Sequence, residues 1–98
     1  MFRVNEFGFH VDFPNGYQVS VSFGPGNYSE HRNTSPQAFK AGGSQSRNAE
    51  VWVARANDPV RHQAYDKQGN PGEVMGYVGP VEVAEILAAV AALPEPAA

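Results

Sequence analysis

A glycine-rich segment with the sequence GPGNYSEHR, from Gly24 to Arg32, contains the side chains best suited to bind a ligand. Glycines let backbone N–H groups approach a ligand closely, and successive amides can form a concave site for an anion. Arginine forms paired charge-assisted hydrogen bonds with phosphate or carboxylate, and a tyrosine ring can stack on a base. The alternative is a strand exit in which Gly and Pro serve only as turn residues. The candidate binding residues, two of them later in the chain, are Gly24, Gly26, Asn27, Tyr28, Ser29, His31, Arg32, Arg47 and Trp52.

The same segment contains the residue types of a hydrolase, with Ser29 as nucleophile and His31 as base. It lacks a nucleophile elbow, the Gly-Lys-Ser/Thr ending of a phosphate loop and paired catalytic carboxylates. His10 and Asp12 could share a metal ion with His31 or His62, but the sequence has no HxH or HExxH spacing. We therefore expect a protein that is not an enzyme, with no catalytic residues, no metal site and no cofactor.

The composition excludes several other classes of protein. The chain has 98 residues, of which 42% are hydrophobic and 17% charged, which is typical of one globular domain. A net charge of −3 argues against binding to duplex DNA or anionic membranes, and zero cysteines exclude disulfides and thiolate chemistry. The N-terminus lacks a signal-peptide core, and the last apolar run is too short to span a bilayer, so we expect a cytoplasmic protein. Its core is thin, so homo-oligomerisation is a natural source of further burial.

Two segments of alternating apolar residues predict a β-hairpin near the N-terminus. The alternating residues are Phe7, Phe9, Val11 and Phe13, followed by Tyr17, Val19, Val21 and Phe23. A two-residue turn would place core and solvent residues on one face, whereas a three-residue turn, Pro14-Asn15-Gly16, keeps every apolar residue on the same side. We therefore predict the three-residue turn, with Gly16 in the left-handed conformation of a G1 bulge.

The segment from residue 24 to residue 48 has little periodicity and is predicted to be a long loop, with one helical turn over Pro36–Lys40 capped by Ser35. The next strand, residues 49–56, places Val51 and Val53 towards the core and Trp52 on the opposite face. The opposite register would bury Trp52 instead, and the sequence does not decide between the two.

The C-terminal part is predicted to contain two short strands, residues 60–65 and 73–78, on either side of a turn, and then a helix. The helix begins at Gly79-Pro80, has acidic residues in its first turns, and ends in a frayed tail over residues 94–98. Its apolar stripe consists of Val83, Ile86, Leu87, Val90 and Leu93. The sum is a single α+β domain over residues 1–98, in which an antiparallel sheet of four or so strands has the C-terminal helix packed on one face.

Four short motifs together resemble small bacteriophage-encoded accessory proteins from phages of GC-rich hosts. The motifs are FPNGYQVSVSFG from Phe13 to Gly24, GNY from Gly26 to Tyr28, EVWV from Glu50 to Val53 and GYVGPVEV from Gly76 to Val83. The resemblance implies a counter-defence factor that works in the host cytoplasm. Such proteins either sequester a signalling nucleotide or inhibit a host immune complex. The resemblance brings no catalytic residues with it.

Two functions from different classes follow from these observations. In the first, which the sequence favours slightly, the loop amides and Arg32 or Arg47 bind an anionic nucleotide-like immune signal, while Tyr28 or Trp52 stacks on its base. In the second, an anti-CRISPR-like inhibitor, exposed aromatic residues and the long loop bind a host defence protein. A small hydrolase that uses His31 as a base is the least favoured. A pocket lined by arginines would support sequestration, whereas a flat aromatic patch would support the inhibitor.

Overall fold

Seven β-strands and two α-helices form within residues 1–96, the part of the chain that the computed structural model describes. In chain order they are β1 (Phe2–Asn5), β2 (Gly8–Asp12), β3 (Tyr17–Ser22), α1 (Pro36–Ala41), β4 (Ala49–Arg55), β5 (Ala64–Tyr65), β6 (Pro71–Gly72), β7 (Met75–Val78) and α2 (Pro80–Ala91). Five strands form an antiparallel sheet in the order β1-β2-β3-β4-β7, and β5 pairs with β6 separately. Because α2 packs on β3 and β4, the predicted α+β architecture is confirmed.

The hairpin between β2 and β3 has the predicted register. Val11 lies opposite Val19, and Phe9 lies opposite Val21, so the apolar residues share one face. The turn has three residues, since the N–H of Phe13 donates to the carbonyl of Tyr17 at 2.9 Å. Gly16 has φ = +89°, which confirms the left-handed position of the G1 bulge.

The first strand, β1, was not predicted, and the N-terminal end of β2 differs from the prediction. Phe7 does not continue the alternation of β2, because it lies in the tight turn that joins β1 to β2. Its ring instead packs edge-on against the ring of Phe39 in α1, with 5.8 Å between the ring centres. A residue at the end of an alternating run can leave the strand when a partner outside the sheet buries it better, and alternation alone does not show this.

The register of β4 is the one that turns its valines inward. Val51 and Val53 are fully buried, and Trp52 lies on the opposite face of the sheet. Successive side chains of a strand point to opposite faces, so burial of both valines places Trp52 outside the core and decides between the two registers that the sequence left open. The buried core consists of Tyr17, Val19, Val21, Ala49, Val51, Val53, Tyr65, Val78, Ile86 and Val90.

Helix α2 begins where the sequence predicts, with Gly79 before it and Pro80 in its first turn. Only Ile86 and Val90 of the predicted stripe are buried, while Val83, Leu87 and Leu93 are partly buried against the core. None of the helices within residues 1–96 is long and apolar enough to cross a membrane.

Three further predictions can be compared with the structure. The helical turn at Pro36 is confirmed, because the hydroxyl of Ser35 accepts a hydrogen bond from the N–H of Ala38 at 3.1 Å. The predicted strand over residues 60–65 is wrong for residues 60–63, since only Ala64–Tyr65 is extended and paired, and its partner β6 falls inside the predicted turn. Residues 94–96 of the predicted frayed tail have no regular structure, and the tail's remaining positions, 97 and 98, lie outside the described residues.

Candidate binding surface

The glycine-rich loop folds back on itself, and its own chain uses most of its amides. The N–H of Gly26 donates to the carbonyl of Arg32 at 3.0 Å, and the N–H of Asn27 donates to that of Gly24 at 3.2 Å. Ser29 donates to the carbonyl of Asn27 at 2.7 Å, and its own carbonyl accepts the N–H of Arg32 at 3.1 Å. These amides point into the loop and are not available to an anion from outside.

Side chains of the chain satisfy the next amides along the loop. The N–H of Tyr28 donates to Oε2 of Glu50 at 3.0 Å, and the N–H of Glu30 donates to Oδ1 of Asn48 at 2.7 Å. Oε1 of Glu30 accepts the N–H of Arg47 at 2.9 Å. The carboxylate of Glu50 thus occupies the place beside the loop amides that a ligand anion was predicted to take. These bonds hold the loop against β4, and the amides that were predicted to bind an anion are used within the chain.

The two glycines of the loop have different roles. Gly24 is buried, and a Cβ at this position would lie 2.5 Å from the ring of Phe7, so the residue allows close packing and does not expose its amide to a ligand. Gly26 is exposed, has φ = +84° and has open space around the position of its missing Cβ, so its role is to turn the chain.

Ser29 does not project from the loop, contrary to the prediction. Its side chain is only 1% exposed, and its Oγ has no hydrogen-bond partner within the described residues. Since the hydrogen bonds of His31 go to other residues, Ser29 and His31 do not form the nucleophile and base of a hydrolase. Asn27 is half-buried and contributes its backbone groups to the turn.

An exposed cluster of Tyr28, Arg32 and Tyr77, here called the tyrosine patch, lies where the loop meets β7. The guanidinium carbon of Arg32 lies 4.5 Å from the centre of the Tyr28 ring, a cation–π contact. Tyr28 is 45% exposed and Tyr77 is 56% exposed. The N–H of Tyr77 donates to the carbonyl of Tyr28 at 2.9 Å, and the Cβ of Tyr28 packs directly over Gly76. The patch thus joins two distant parts of the sequence through backbone contacts.

Tyr77 has an unusual backbone conformation, with φ = +56°. A bulky residue in this left-handed region is strained, and such strain persists only where the surrounding structure imposes it. Here the bond to Tyr28 on one side and Pro80 at the start of α2 on the other restrict the chain. Tyr77 is not among the predicted site residues, because neither its conformation nor its pairing with Tyr28 leaves a local signal.

His31 lies in a polar row at the edge of the loop. One ring nitrogen, Nδ1, is 3.3 Å from the hydroxyl of Thr34, and Nε2 is 3.3 Å from Oε1 of Glu30. The ring also packs on Phe39, with 5.1 Å between the ring centres. The row has the residue types of a catalytic triad, but the neighbouring amides that could stabilise an oxyanion are already bonded within the chain. The contacts of His31 hold the loop against Phe39 of α1.

Arg47 lies between two adjoining clefts. One has a volume of about 400 Å³ and is mainly apolar, between the sheet and α2, with Phe23 and Leu87 in its wall. The other, of about 720 Å³, is polar and contains Glu30 and His31. Arg47 is the one arginine that lines either cleft within the described residues, and the carboxylate of Glu30, which accepts the backbone N–H of Arg47, lines the polar one. Neither of these two clefts is therefore lined by several arginines.

Trp52 is half-buried on the polar face of the sheet, away from the core. Its indole N–H donates to the carbonyl of Gln63 at 3.4 Å, and the His62 ring lies 6.2 Å away. The segment after β4 therefore covers part of the indole, which leaves less surface for a partner than a fully exposed tryptophan would have.

A buried cluster that the sequence did not predict joins the small sheet to the large one. The guanidinium of Arg55 lies 4.2 Å from the ring centre of Tyr65 and 5.5 Å from that of Tyr17, and it donates to the carbonyl of Gly69 at 3.0 Å. The hydroxyl of Tyr65 donates a short hydrogen bond to Asp58. This bond lowers the pKa of Asp58 below 3.8 and raises the pKa of Tyr65 above 10.0.

Within residues 1–96, no three His, Asp or Glu residues are arranged to hold a metal ion. His10 and Asp12 do contact each other, with 3.1 Å between Nε2 and Oδ1, and Arg3 donates to the same oxygen at 3.0 Å. Desolvation acts to raise the pKa of Asp12, but the hydrogen bonds and charges of Arg3 and His10 outweigh it and bring the pKa below 3.8. This group is therefore an ion-pair network on the polar face of the sheet.

Comparisons with family models, with curated proteins and with solved structures find no match for this chain.

Proposed function

We propose that this protein is a non-enzymatic inhibitor that binds a host defence protein through the tyrosine patch. The observation that carries the proposal is the guanidinium of Arg32 stacked on the exposed Tyr28 ring, next to Tyr77 in its strained conformation. Tyrosine and arginine are enriched among the residues that contribute most to protein–protein binding. Their rings and planar groups offer a large contact area at a low cost in conformational entropy.

The geometry supports a protein partner better than a nucleotide at this loop. An anion would have to displace Glu50 from Tyr28 and break the internal bonds of the remaining amides. A protein surface needs neither change, because it can contact the exposed rings while the loop keeps its hydrogen bonds. The backbone bond between Tyr28 and Tyr77 fixes the two backbone segments relative to each other before binding, and Arg32 packs on the Tyr28 ring, which reduces the entropy lost on association.

The resemblance to phage accessory proteins suggests the type of target. It implies a counter-defence role in the cytoplasm of a bacterial host, with an immune complex such as a CRISPR effector as the partner. The net charge of −3 agrees with a protein target better than with duplex nucleic acid.

The test measures the plating efficiency of a phage on a panel of bacterial strains, each with one defence system and each expressing this protein. We expect the protein to restore plating on at least one strain. Arg32→Ala and Tyr77→Gly should each lower that effect by about 10-fold or more, as expected for residues that dominate an interface. Both side chains are exposed, so the thermal stability of the variants should stay close to that of the parent.

The matched control is Arg61→Ala, which removes an exposed arginine outside the patch and should leave plating unchanged. Patch variants that are as active as the parent on a responsive strain would contradict the proposal. Variants that unfold would show that the patch stabilises the fold.

The second candidate function is the sequestration of a nucleotide-like signal, and the position of Arg47 between an apolar and a polar cleft supports it. The apolar cleft, of about 400 Å³, is in the range of small-molecule sites. Mass spectrometry of the molecules that the purified protein releases on heating tests this function. Sequestration predicts a phosphorylated compound that Arg47→Ala loses and Arg32→Ala retains. Its absence from the parent protein expressed in infected cells would count against this second function.

A further inference from the structure

The first strand leaves two large apolar side chains exposed on the core side of the sheet. Phe2 lies opposite Val11 and Val4 lies opposite Phe9, so both side chains share the face of the hairpin's apolar residues. Nevertheless Phe2 is 80% exposed and Val4 is 92% exposed. Helix α2 packs on β3 and β4, so it does not cover this end of the face. Adjacent apolar residues on an unprotected sheet face indicate an interaction surface.

The backbone of β1 is also unpaired on its outer side. Met1 and Asp12 exchange both of their backbone hydrogen bonds, each at 2.8 Å. Pairs along an antiparallel ladder alternate between bonded and non-bonded, so Phe2 and Val4 fall at the non-bonded positions. Their N–H and C=O groups therefore point away from β2, towards the open edge. The same two residues offer apolar side chains and free backbone groups.

The usual protection of an edge strand is absent from β1. Edge strands in soluble proteins commonly have a lysine, a proline or a bulge that prevents pairing with another chain. The strand reads FRVN and pairs with β2 in regular register. Its one charged residue, Arg3, points to the polar face, where it forms an ion pair with Asp12 at 3.0 Å. Apart from the charge of Arg3, which Asp12 balances, nothing in the strand opposes the approach of a second strand.

The chain has more accessible surface than a monomer of its mass is expected to have. The chain exposes 6237 Å². A folded monomer of 10.6 kDa is expected to expose about 5,500 Å², which leaves roughly 700 Å² in excess. A stable interface buries about 800 Å² on each partner, so the excess is comparable to one side of a dimer interface.

We propose that two copies of this chain form a symmetric dimer by antiparallel pairing of their β1 strands, centred on Arg3. Phe2 then exchanges backbone hydrogen bonds with Val4 of the partner subunit, and the symmetric pair forms in the same way. The pairing uses the free groups of both residues and joins two five-stranded sheets into one continuous sheet. This proposal is independent of the function proposed above.

The side chains of the two copies are complementary in this register. Phe2 of the partner subunit lies next to Val4, on the face that holds an apolar groove of about 320 Å³. The aromatic and aliphatic residues of the groove are Val4, Phe7, Phe9, Phe23 and Phe39. A phenylalanine from the second copy fills this groove and removes Phe2 from water in both subunits. The two Arg3 side chains meet on the polar face, where each has Asp12 as a counter-ion.

The first test measures the mass of the protein in solution by sedimentation over a wide range of concentration. We expect twice the chain mass of 10.6 kDa for the parent. Val4→Lys should sediment as a single chain with an unchanged circular dichroism spectrum, because residue 4 is exposed in the separate subunit. The control Val81→Lys replaces another exposed valine, on α2, and should remain a dimer. A parent that is a single chain at every concentration, or a dimeric Val4→Lys, would overturn the proposal.

The second test determines the register of the dimer. The chain has no cysteine, so Arg3→Cys introduces a single thiol at the symmetry axis. Non-bonded pairs in an antiparallel ladder have Cα atoms about 4.5 Å apart, within the range of a disulfide. Mild oxidation should link Arg3→Cys into covalent dimers much faster than the control Arg61→Cys, which has its thiol at another exposed site. Equal rates for the two variants would exclude pairing centred on Arg3.

Discussion

Asn15 and Gly16 are adjacent in the hairpin turn and have different structural roles. Gly16 adopts the φ of +89° that the turn requires. The side-chain amide of Asn15 donates to the carbonyls of Val90 and Leu93, at 2.8 and 2.9 Å. Val90 lies in the last turn of α2 and Leu93 lies just after the helix, so Asn15 binds the carbonyls at the point where the helix ends. The turn thus holds the hairpin to the helix as well as reversing the chain.

We expect Gly16→Ala to lower the free energy of unfolding by about 1 kcal/mol, because a Cβ is disfavoured at positive φ. The nearest heavy atom to that Cβ would be Cδ of Pro96 at 3.8 Å, so the cost comes from the backbone and not from a clash. Gly42→Ala is the control, since Gly42 has φ = −81° and only ordinary contacts. Urea denaturation measures both variants, and equal stabilities would show that the turn tolerates a side chain.

The hydrogen bond between Tyr65 and Asp58 makes the stability depend on pH at both extremes. The folded pKa of Asp58 is lowered, so its contribution is present above pH 3.8 and is lost as the pH falls through the lowered value. The folded pKa of Tyr65 is raised, so its contribution is present below pH 10.0 and is lost as the pH rises through the raised value.

We expect Tyr65→Phe, which keeps the ring beside Arg55, to be less stable than the parent near neutral pH and to lose less stability towards either extreme. Urea denaturation at a series of pH values measures this difference. Other titrating groups, such as Asp12, are present in both proteins and cancel in the comparison. Parallel profiles for the two proteins would mean that the bond does not contribute to the pH dependence.

At the scale of elements, local signals predicted β2, β3, α1, a strand at β4 and the start of α2, but they left the register of β4 open. Each depends on an alternation, a cap or a proline that is visible within a few residues of sequence. The strand β1 has only four residues, and its apolar side chains stay exposed, so no buried pattern marked it. The apolar and polar side chains of residues 60–63 resemble those of a strand, but these residues form the connection that covers Trp52.

The packing of α2 predicts different effects for two adjacent residues. Ile86 is buried, so Ile86→Ala should lower the free energy of unfolding by roughly 2–5 kcal/mol. Leu87 is only partly buried at the edge of the apolar cleft, so Leu87→Ala should cost less than Ile86→Ala. Val81→Ala, at an exposed position of the same helix, is the control and should change stability little. Chemical denaturation measures all three, and a larger cost at Leu87 than at Ile86 would contradict this packing.

At the scale of the whole molecule, the candidate site depends on contacts between distant residues. Tyr28 and Arg32 could be named from the sequence as exposed binding residues, but their connection to Tyr77 exists only in the folded chain. The same is true of Glu50, whose carboxylate accepts the N–H of Tyr28 from the next strand, in the place predicted for a ligand anion. Residue types show which groups are available for binding, whereas the fold decides which of them are already used.

The two edges of the sheet have different surroundings. The outer side of β1 has free backbone groups and exposed apolar side chains. On the outer side of β7, in contrast, the N–H of Tyr77 donates to the carbonyl of Tyr28 in the loop. A dimer formed through β1 leaves both tyrosine patches free on the far strands. Two patches on one rigid sheet would let a symmetric target be held at two points, which strengthens attachment without new contacts.

The pairing of Tyr28 with Tyr77 also determines when the tyrosine patch can form during synthesis of the chain. During synthesis, β1, β2 and β3 leave the ribosome before any later strand, and each pairs with its neighbour in sequence in the folded protein. The loop with Tyr28 follows, but its partner on β7 is translated near the end of the chain. A nascent or prematurely terminated chain therefore lacks the assembled patch.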